Sequence, residues 1–312
     1  MQNGLRHRCR WQVAAGMLLL MLAGGCSNDE QAMTPAAEDG QPVAFAVSEQ
    51  PWRGEQQGVT RSGETLTALQ TTPYFGLYCE MFSFVNRQVT WSAESESWSF
   101  ANKTLLWPKD VSSFAAYAYA PYLDIAGGAS YADGSQITAF AAPNVTFVPL
   151  LDNQTDLLWA HGVRDGRKVS LDFRHALAKV SFGTVKNNFG RTITVTGITV
   201  TDKSGDRLYQ SGKLSLADGT WSDQTRYDAE QTISRPVSPN LVIDNEQTGA
   251  LSLNPILQIP DPTVTVTLTF TYTDDDSSTS TETAVADVVL VQATDKTLNF
   301  TIGRNHEVLI IP

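Results

Sequence analysis

Two runs constrain what this chain can become more than any other feature. Ile193 to Thr201 reads ITVTGITVT, and Val264 to Tyr272 reads VTVTLTFTY. Apolar side chains and threonines alternate residue by residue. An extended strand therefore puts Ile, Val, Leu and Phe on one face and threonine on the other. β-Branched side chains also prefer that pleated surface to a helix. The same period recurs from Val43 through Phe45 to Val47. Tyr74 to Phe84 is an aromatic-rich run. Val89-Thr90-Trp91 and Ser97-Trp98-Ser99-Phe100 flank an acidic Ser/Glu turn, which is a hairpin signal. Phe114 to Tyr119 alternates aromatic and small residues, and Ala284 to Val291 and Glu307 to Ile311 complete the series. Helix signals are thin. His175 to Val180 has the length of one turn, but its β-branched neighbours predict a strand. Many short strands with polar turns predict an all-β protein of antiparallel sandwiches.

A chain of 312 residues has room for two domains. Pro149 through Asp152 and Arg164-Asp165-Gly166 break the pattern near the middle. They place the boundary near 166–170, with an N-terminal domain over 42–167 and a C-terminal domain over 168–312.

The first 25 residues read as a removed export signal. Arg6, Arg8 and Arg10 form a charged start. Val13 to Leu22 form an uncharged apolar core, and Ala23-Gly24-Gly25 are small, as a cleavage site requires. Ten apolar residues are too few to span a bilayer of ~30 Å as a helix. Cys26 follows directly, so cleavage is expected between Gly25 and Cys26. The arrangement resembles a bacterial lipobox, in which the cysteine thiol takes lipid, although the large aliphatic Leu22 stands four residues before Cys26 rather than three. Several acyl chains on one residue, palmitate among them, make a stable anchor where one chain does not. Ser27-Asn28-Asp29-Glu30 is similar to the acidic tag that sends lipoproteins of the Bacteroidetes to the outer face of the outer membrane. An ordinary polar tether reads the same way. Residues 26–41 lack apolar periodicity and are expected to be a lipidated flexible tether.

Loss of 1–25 removes three arginines and no acid, taking the net charge from −11 to −14. So acidic a chain, with no basic stripe, is not built to hold a phosphate backbone, and no nucleic-acid partner is expected. Cys9 lies in the leader and Cys26 takes lipid, so Cys79 is left without a disulfide partner. Its neighbours Phe75, Leu77, Met81 and Phe82 predict a buried, inert thiol. Catalytic signals are missing. His161, His175 and His306 stand apart from one another, with no second ligand at metal spacing. There is no Gly-rich phosphate loop and no nucleophile elbow. Asp274-Asp275-Asp276 lacks the alternating ligands and the bidentate Glu of a calcium loop, so it reads as a solvated hairpin tip. No enzyme, metal or cofactor is expected.

Several segments in order carry a resemblance. They are Val59-Thr60-Arg61, Leu105-Leu106-Trp107-Pro108-Lys109-Asp110 and Phe114-Ala115-Ala116-Tyr117-Ala118-Tyr119-Ala120-Pro121-Tyr122. Thr155-Asp156-Leu157-Leu158-Trp159-Ala160 and Leu171-Asp172-Phe173-Arg174-His175-Ala176-Leu177-Ala178-Lys179-Val180 follow. This series resembles the fimbrillin family of the Bacteroidetes, the Mfa-like and FimA-like subunits, over about residues 42–312. The resemblance implies two tandem transthyretin-like sandwich domains in a surface fimbria that adheres to host or bacterial surfaces. It implies cleavage by an arginine-specific protease after the first strand, with Arg61 the best match and Arg53 the second. The displaced strand is then the one carrying Val43, Phe45 and Val47, and a neighbouring fimbrial subunit fills the groove by strand exchange. Stalk subunits of that family extend beyond the strand that Gly303 to Ile310 resembles, whereas this chain stops at Pro312. That points to a tip, accessory or anchor position, or to a last strand that itself swings out. The rival reading is a lipid-anchored module that never polymerises and binds a glycan or protein, with Trp52, Trp98 and Trp221 as exposed platforms. A third is a hydrolase, which a pocket gathering His161 or His175 with acids favours.

Overall fold

A computed structural model describes residues 38–54, 69, 74–100, 104–108, 114–124, 129–130, 136–141, 144–149, 151, 154–304 and 308–311. Among these residues the elements are strands and one short 3-10 turn, Glu80–Phe82. The chain is an all-β protein of stacked sheets, as the alternation predicts.

The first half is organised by a seven-stranded sheet. Its order is β2 (Ala44–Glu49), β12 (Lys168–His175), β11 (Leu158–Asp165), β7 (Ala116–Ala120), β3 (Tyr74–Cys79), β4 (Phe84–Ser92) and β5 (Ser97–Ser99). Period 2 decides its two faces. Phe75, Leu77, Ala116, Ala118, Leu158, Ala160, Val169, Leu171 and Phe173 face one core, covered by Trp98, Phe100 and Trp107. Tyr119 and Trp159, set between these residues in sequence, face the other way into a second cluster. That opposite face is covered by a five-stranded sheet of β16 (Trp221–Arg226), β15 (Tyr209–Ser215), β10 (Asn144–Val148), β9 (Gln136–Ala141) and β8 (Ala129–Ser130). A short ribbon pairs β1 (Glu38–Pro42) with β6 (Leu106–Pro108).

The second half is a sandwich of two sheets. One runs β18 (Thr248–Ala250), β13 (Ala178–Asn187), β22 (Asp295–Ile302) and β23 (Val308–Ile311), with β19 (Ile256–Gln258) also on β13. The other runs β17 (Thr232–Ile243), β14 (Ile193–Asp202), β20 (Thr263–Thr273) and β21 (Thr279–Val289). Ile193, Val195, Ile198 and Val200 of β14 and Val264, Val266, Leu268 and Phe270 of β20 fill the space between them. The intervening threonines of those strands face outward.

Three expectations are corrected by the strand pairing. The boundary at 167/168 cuts a hairpin, because Lys168–His175 pairs with Leu158–Asp165 and belongs to the first sheet. His175 to Val180 is not one strand. β12 ends at His175, Ala176 and Leu177 are buried in the cluster between the halves, and β13 starts a new sheet at Ala178. The sandwiches are also not wholly antiparallel, since β2 runs parallel to β12 and β13 runs parallel to β22. The halves further share a sheet, because β10 of the first pairs with β15 of the second, Asn144 opposite Ser215.

Candidate functional site: the first strand and its clasp

Among the described residues β2 is an edge strand with a single ladder neighbour. Ala44 to Glu49 run beside Lys168 to Phe173 in register, and Gln50 donates its N–H to Phe173 O at 2.8 Å. Val43, just before the strand, donates to Leu105 O at 2.7 Å. Val43, Phe45 and Val47 are half-buried and pack on the first core. The Phe45 ring stands edge-on to Phe75 at 5.9 Å and to Phe100 at 5.5 Å. On the outer face Ser48 and Gln50 donate to the two oxygens of Asp172, at 2.9 and 2.5 Å. An edge strand held on one side leaves its other row of N–H and C=O groups open to another strand.

The chain then crosses to the second half. Trp52 stacks on His175, ring centroids 3.8 Å apart and planes within 17°. Lys179 of β13 lies 5.4 Å above the Trp52 ring and pairs with Asp295 at 2.9 Å. Arg53 forms a parallel bridge to Thr294. Its N–H donates to Ala293 O and its own carbonyl accepts from Asp295 N–H, both at 2.8 Å, while its guanidinium reaches Gln292 O. Gly54 has φ of +86°, and a Cβ there would stand 2.8 Å from Asp295 O. Only glycine tolerates both conditions.

His175 is 4% exposed. Its Nδ1 lies 2.5 Å from Asp156 Oδ2, and its Nε2 lies 3.9 Å from Glu49 Oε1. Histidine with two carboxylates is the gathering that a hydrolase needs. Here the ring is buried and lies under Trp52. His161 is exposed and stacks on Tyr117 at 5.0 Å.

The other expected residues fall as follows. Gly25, Cys26 and Arg61 lie outside the described residues. Arg53 is described, and both its backbone groups are bonded, which opposes the extended fit a protease needs. Of the three tryptophans, Trp98 is 8% exposed, Trp221 is partly buried and donates to Ala176 O at 2.9 Å, and Trp52 is partly buried over His175. Asp274 and Asp275 engage Arg191 at 3.7 and 2.9 Å at a hairpin tip. Burial pushes the Cys79 thiol up to about 11. Trp52, Asp156 and Glu49 were not singled out as a group, and a tryptophan in a polar stretch was the one local signal.

Stacked β-sheets with an edge strand that runs on to clasp the second half define an all-β protein of the sandwich class. The pattern that defines the fimbrillin-like family matches residues 46–311, and the chain belongs to that family. Among solved structures it is similar to a fimbrial protein from Bacteroides vulgatus, at 19% identity and a TM-score of 0.61, over 86% of this chain and 97% of that one. It is also similar to a protein from Bacteroides ovatus provisionally assigned to cell adhesion, at 17% identity and a TM-score of 0.53, over 87% and 96%. At these identities the likeness shows the fold. No curated protein matches the chain.

Proposed function

We propose that this protein is a subunit of a surface fimbria, structural or adhesive, with no catalytic role. The first 25 residues direct export, and lipid on Cys26 holds the chain at the outer membrane surface. Cleavage after Arg61 frees the first strand, and a neighbouring subunit's strand takes its place beside Lys168–His175. In its finer form, this reading gives the subunit a terminal position, as tip or anchor. The halves up to His175 and from Ala178 are two transthyretin-like sandwich units that share the β10–β15 sheet.

One observation carries the reading. β2 is a one-sided edge strand with Phe45 and Val47 on the core, so its departure opens a ladder and an apolar slot together. Main-chain bonds give such an exchange its affinity, and alternate side chains give it specificity. Membership of the fimbrillin-like family and the fold shared with a fimbrial protein support it.

Intact mass and N-terminal sequencing of the protein from its own cell surface test this reading. A chain starting at Ser62 is the expected result for an assembled subunit. A full-length chain with acylated Cys26 in every fraction, fimbriae included, refutes cleavage and exchange while leaving the lipid anchor standing.

A further inference from the structure

Glu49, Trp52, Asp156 and His175 form a buried group whose parts come from two sources. Glu49 and Trp52 arrive with the first strand. Asp156, which precedes β11, and His175, at the end of β12, belong to the body. Side-chain exposures are 4% for His175, 11% for Glu49 and 16% for Asp156. Lys179 lies above Trp52 and pairs with Asp295 beside them. One ring nitrogen faces each carboxylate, Nδ1 at 2.5 Å from Asp156 Oδ2 and Nε2 at 3.9 Å from Glu49 Oε1. The flat indole then closes the top of the ring.

We propose that this group is a lock that selects which strand occupies the edge beside β12. The occupant it fits is an extended segment parallel to β12. It carries apolar side chains where Phe45 and Val47 stand, a carboxylate where Glu49 stands, and a flat aromatic ring three residues further on. The inference rests on the exchange reading above and names the chemistry of the strand that can enter. A strand without the carboxylate leaves the Nε2 side of a buried ring without its charged partner. A strand without the aromatic ring uncovers the histidine to water. Either defect is expected to cost the occupant about tenfold in affinity.

Amide hydrogen exchange on the full chain reads the lock. Gln50 N–H, bonded to Phe173 O, and Arg53 N–H, bonded to Ala293 O, are the reporters. Glu49→Gln is expected to speed both about tenfold and His175→Gln at least as much, since it also loses the bond to Asp156, and the double variant is expected to fall short of the product of the two because either change removes the Glu49–His175 contact. Additive effects, or no effect of Glu49→Gln, overturn the lock. Should His175→Gln fail to fold, Trp52→Leu replaces it: it keeps an apolar side chain but loses the flat cover, and is expected to speed Gln50 by a similar factor. Selection is then read by competition. The chain is cut once after Arg61 with both fragments retained, and peptides spanning residues 42–54 are added in trans. The native peptide is expected to displace the cut strand at about one tenth the concentration needed by its Glu49→Gln form. Equal potency overturns selection while exchange stands. Entry by neither peptide overturns the exchange reading itself, and selection with it.

Discussion

Phe45→Ala tests whether the first strand is held as a separable unit. Phe45 is half-buried, and its ring meets Phe75 edge-on at 80° and Phe100 at 70°. Phe75 is itself fully buried, so the contact reaches the core. Truncating a fully buried phenylalanine costs about 3–5 kcal/mol, aromatic pairing included. Phe45 keeps part of its surface in water, which brings the figure to about 2–3 kcal/mol. At about 1.4 kcal/mol per decade, the docking equilibrium of the strand shifts about 30- to 150-fold. Amide exchange of Gln50 reads that shift, because its N–H bonds to Phe173 O only while β2 is docked. The expected result is a faster Gln50 amide and an unchanged Val200 amide in β14, deep in the second half. Ala44→Ser, at an exposed position of the same strand, leaves both unchanged. Equal acceleration at Gln50 and Val200 shows that β2 opens only when everything unfolds, and refutes the idea of a separable strand.

Trp107→Phe leaves Arg167 O without the indole N–H that bonds it at 2.7 Å and removes the ring on which Arg164 lies at 4.8 Å, so it is expected to lower the urea midpoint by about 1.5–3 kcal/mol of stability at unchanged slope. Gly76→Ala puts a Cβ 2.2 Å from the Tyr119 ring, whose hydroxyl bonds Asn86 at 2.7 Å; overpacking of about 1–3 kcal/mol is expected, with loss of near-ultraviolet aromatic circular dichroism. Cys79, 1% exposed and with its thiol pushed up to about 11 by burial, is expected to resist a disulfide reagent at pH 8 until denaturant is added, and rapid labelling of the native protein contradicts its burial. Hydrogen bonds from Lys203 and Thr265 hold the Asp287 carboxyl below its ordinary 3.8, so its stabilisation is complete above 3.8 and is lost as pH falls through the lower native value; carboxyl NMR is expected to show the titration moving back toward 3.8 in Lys203→Gln, less so in high salt because the pair is exposed.

The long strands were legible because their signal is local. Ile193–Asp202 and Thr263–Thr273 extend the two alternating runs by a residue or two at their ends. The strand expected over Val43 to Val47 is β2, Ala44–Glu49, preceded by β1, with the same apolar side chains on the core. Pairing was not legible. Val145 and Phe147 alternate as any strand does, and nothing near them in sequence says that Leu214 lies across from Val145. The hairpin Leu158–His175 carries Arg164-Asp165-Gly166 at its tip, and a turn inside a sheet has the same composition as a linker between domains. For that reason a boundary read at that turn divides a hairpin. The clasp was hidden by distance, since Trp52 and His175 meet only after β2 has docked along the whole of β12.

Apolar packing alone does not fix where β2 sits. A slip of one residue turns Phe45 and Val47 to water and is strongly opposed. A slip of two residues restores the alternation, moving the strand by about 6.6 Å and leaving apolar side chains in two of the three slots. Ladder bonds do not oppose it either, because a parallel edge repeats its pattern every two residues. The clasp does oppose it. A shift of about 6.6 Å carries Glu49 away from His175 Nε2, lifts Trp52 off the ring it covers at 3.8 Å, and breaks both Arg53 backbone bonds to Ala293 and Asp295. The apolar residues thus hold the strand in the groove, while the buried histidine and the residues around it set its register. A substituted strand must meet both demands, and only the second distinguishes one alternating sequence from another.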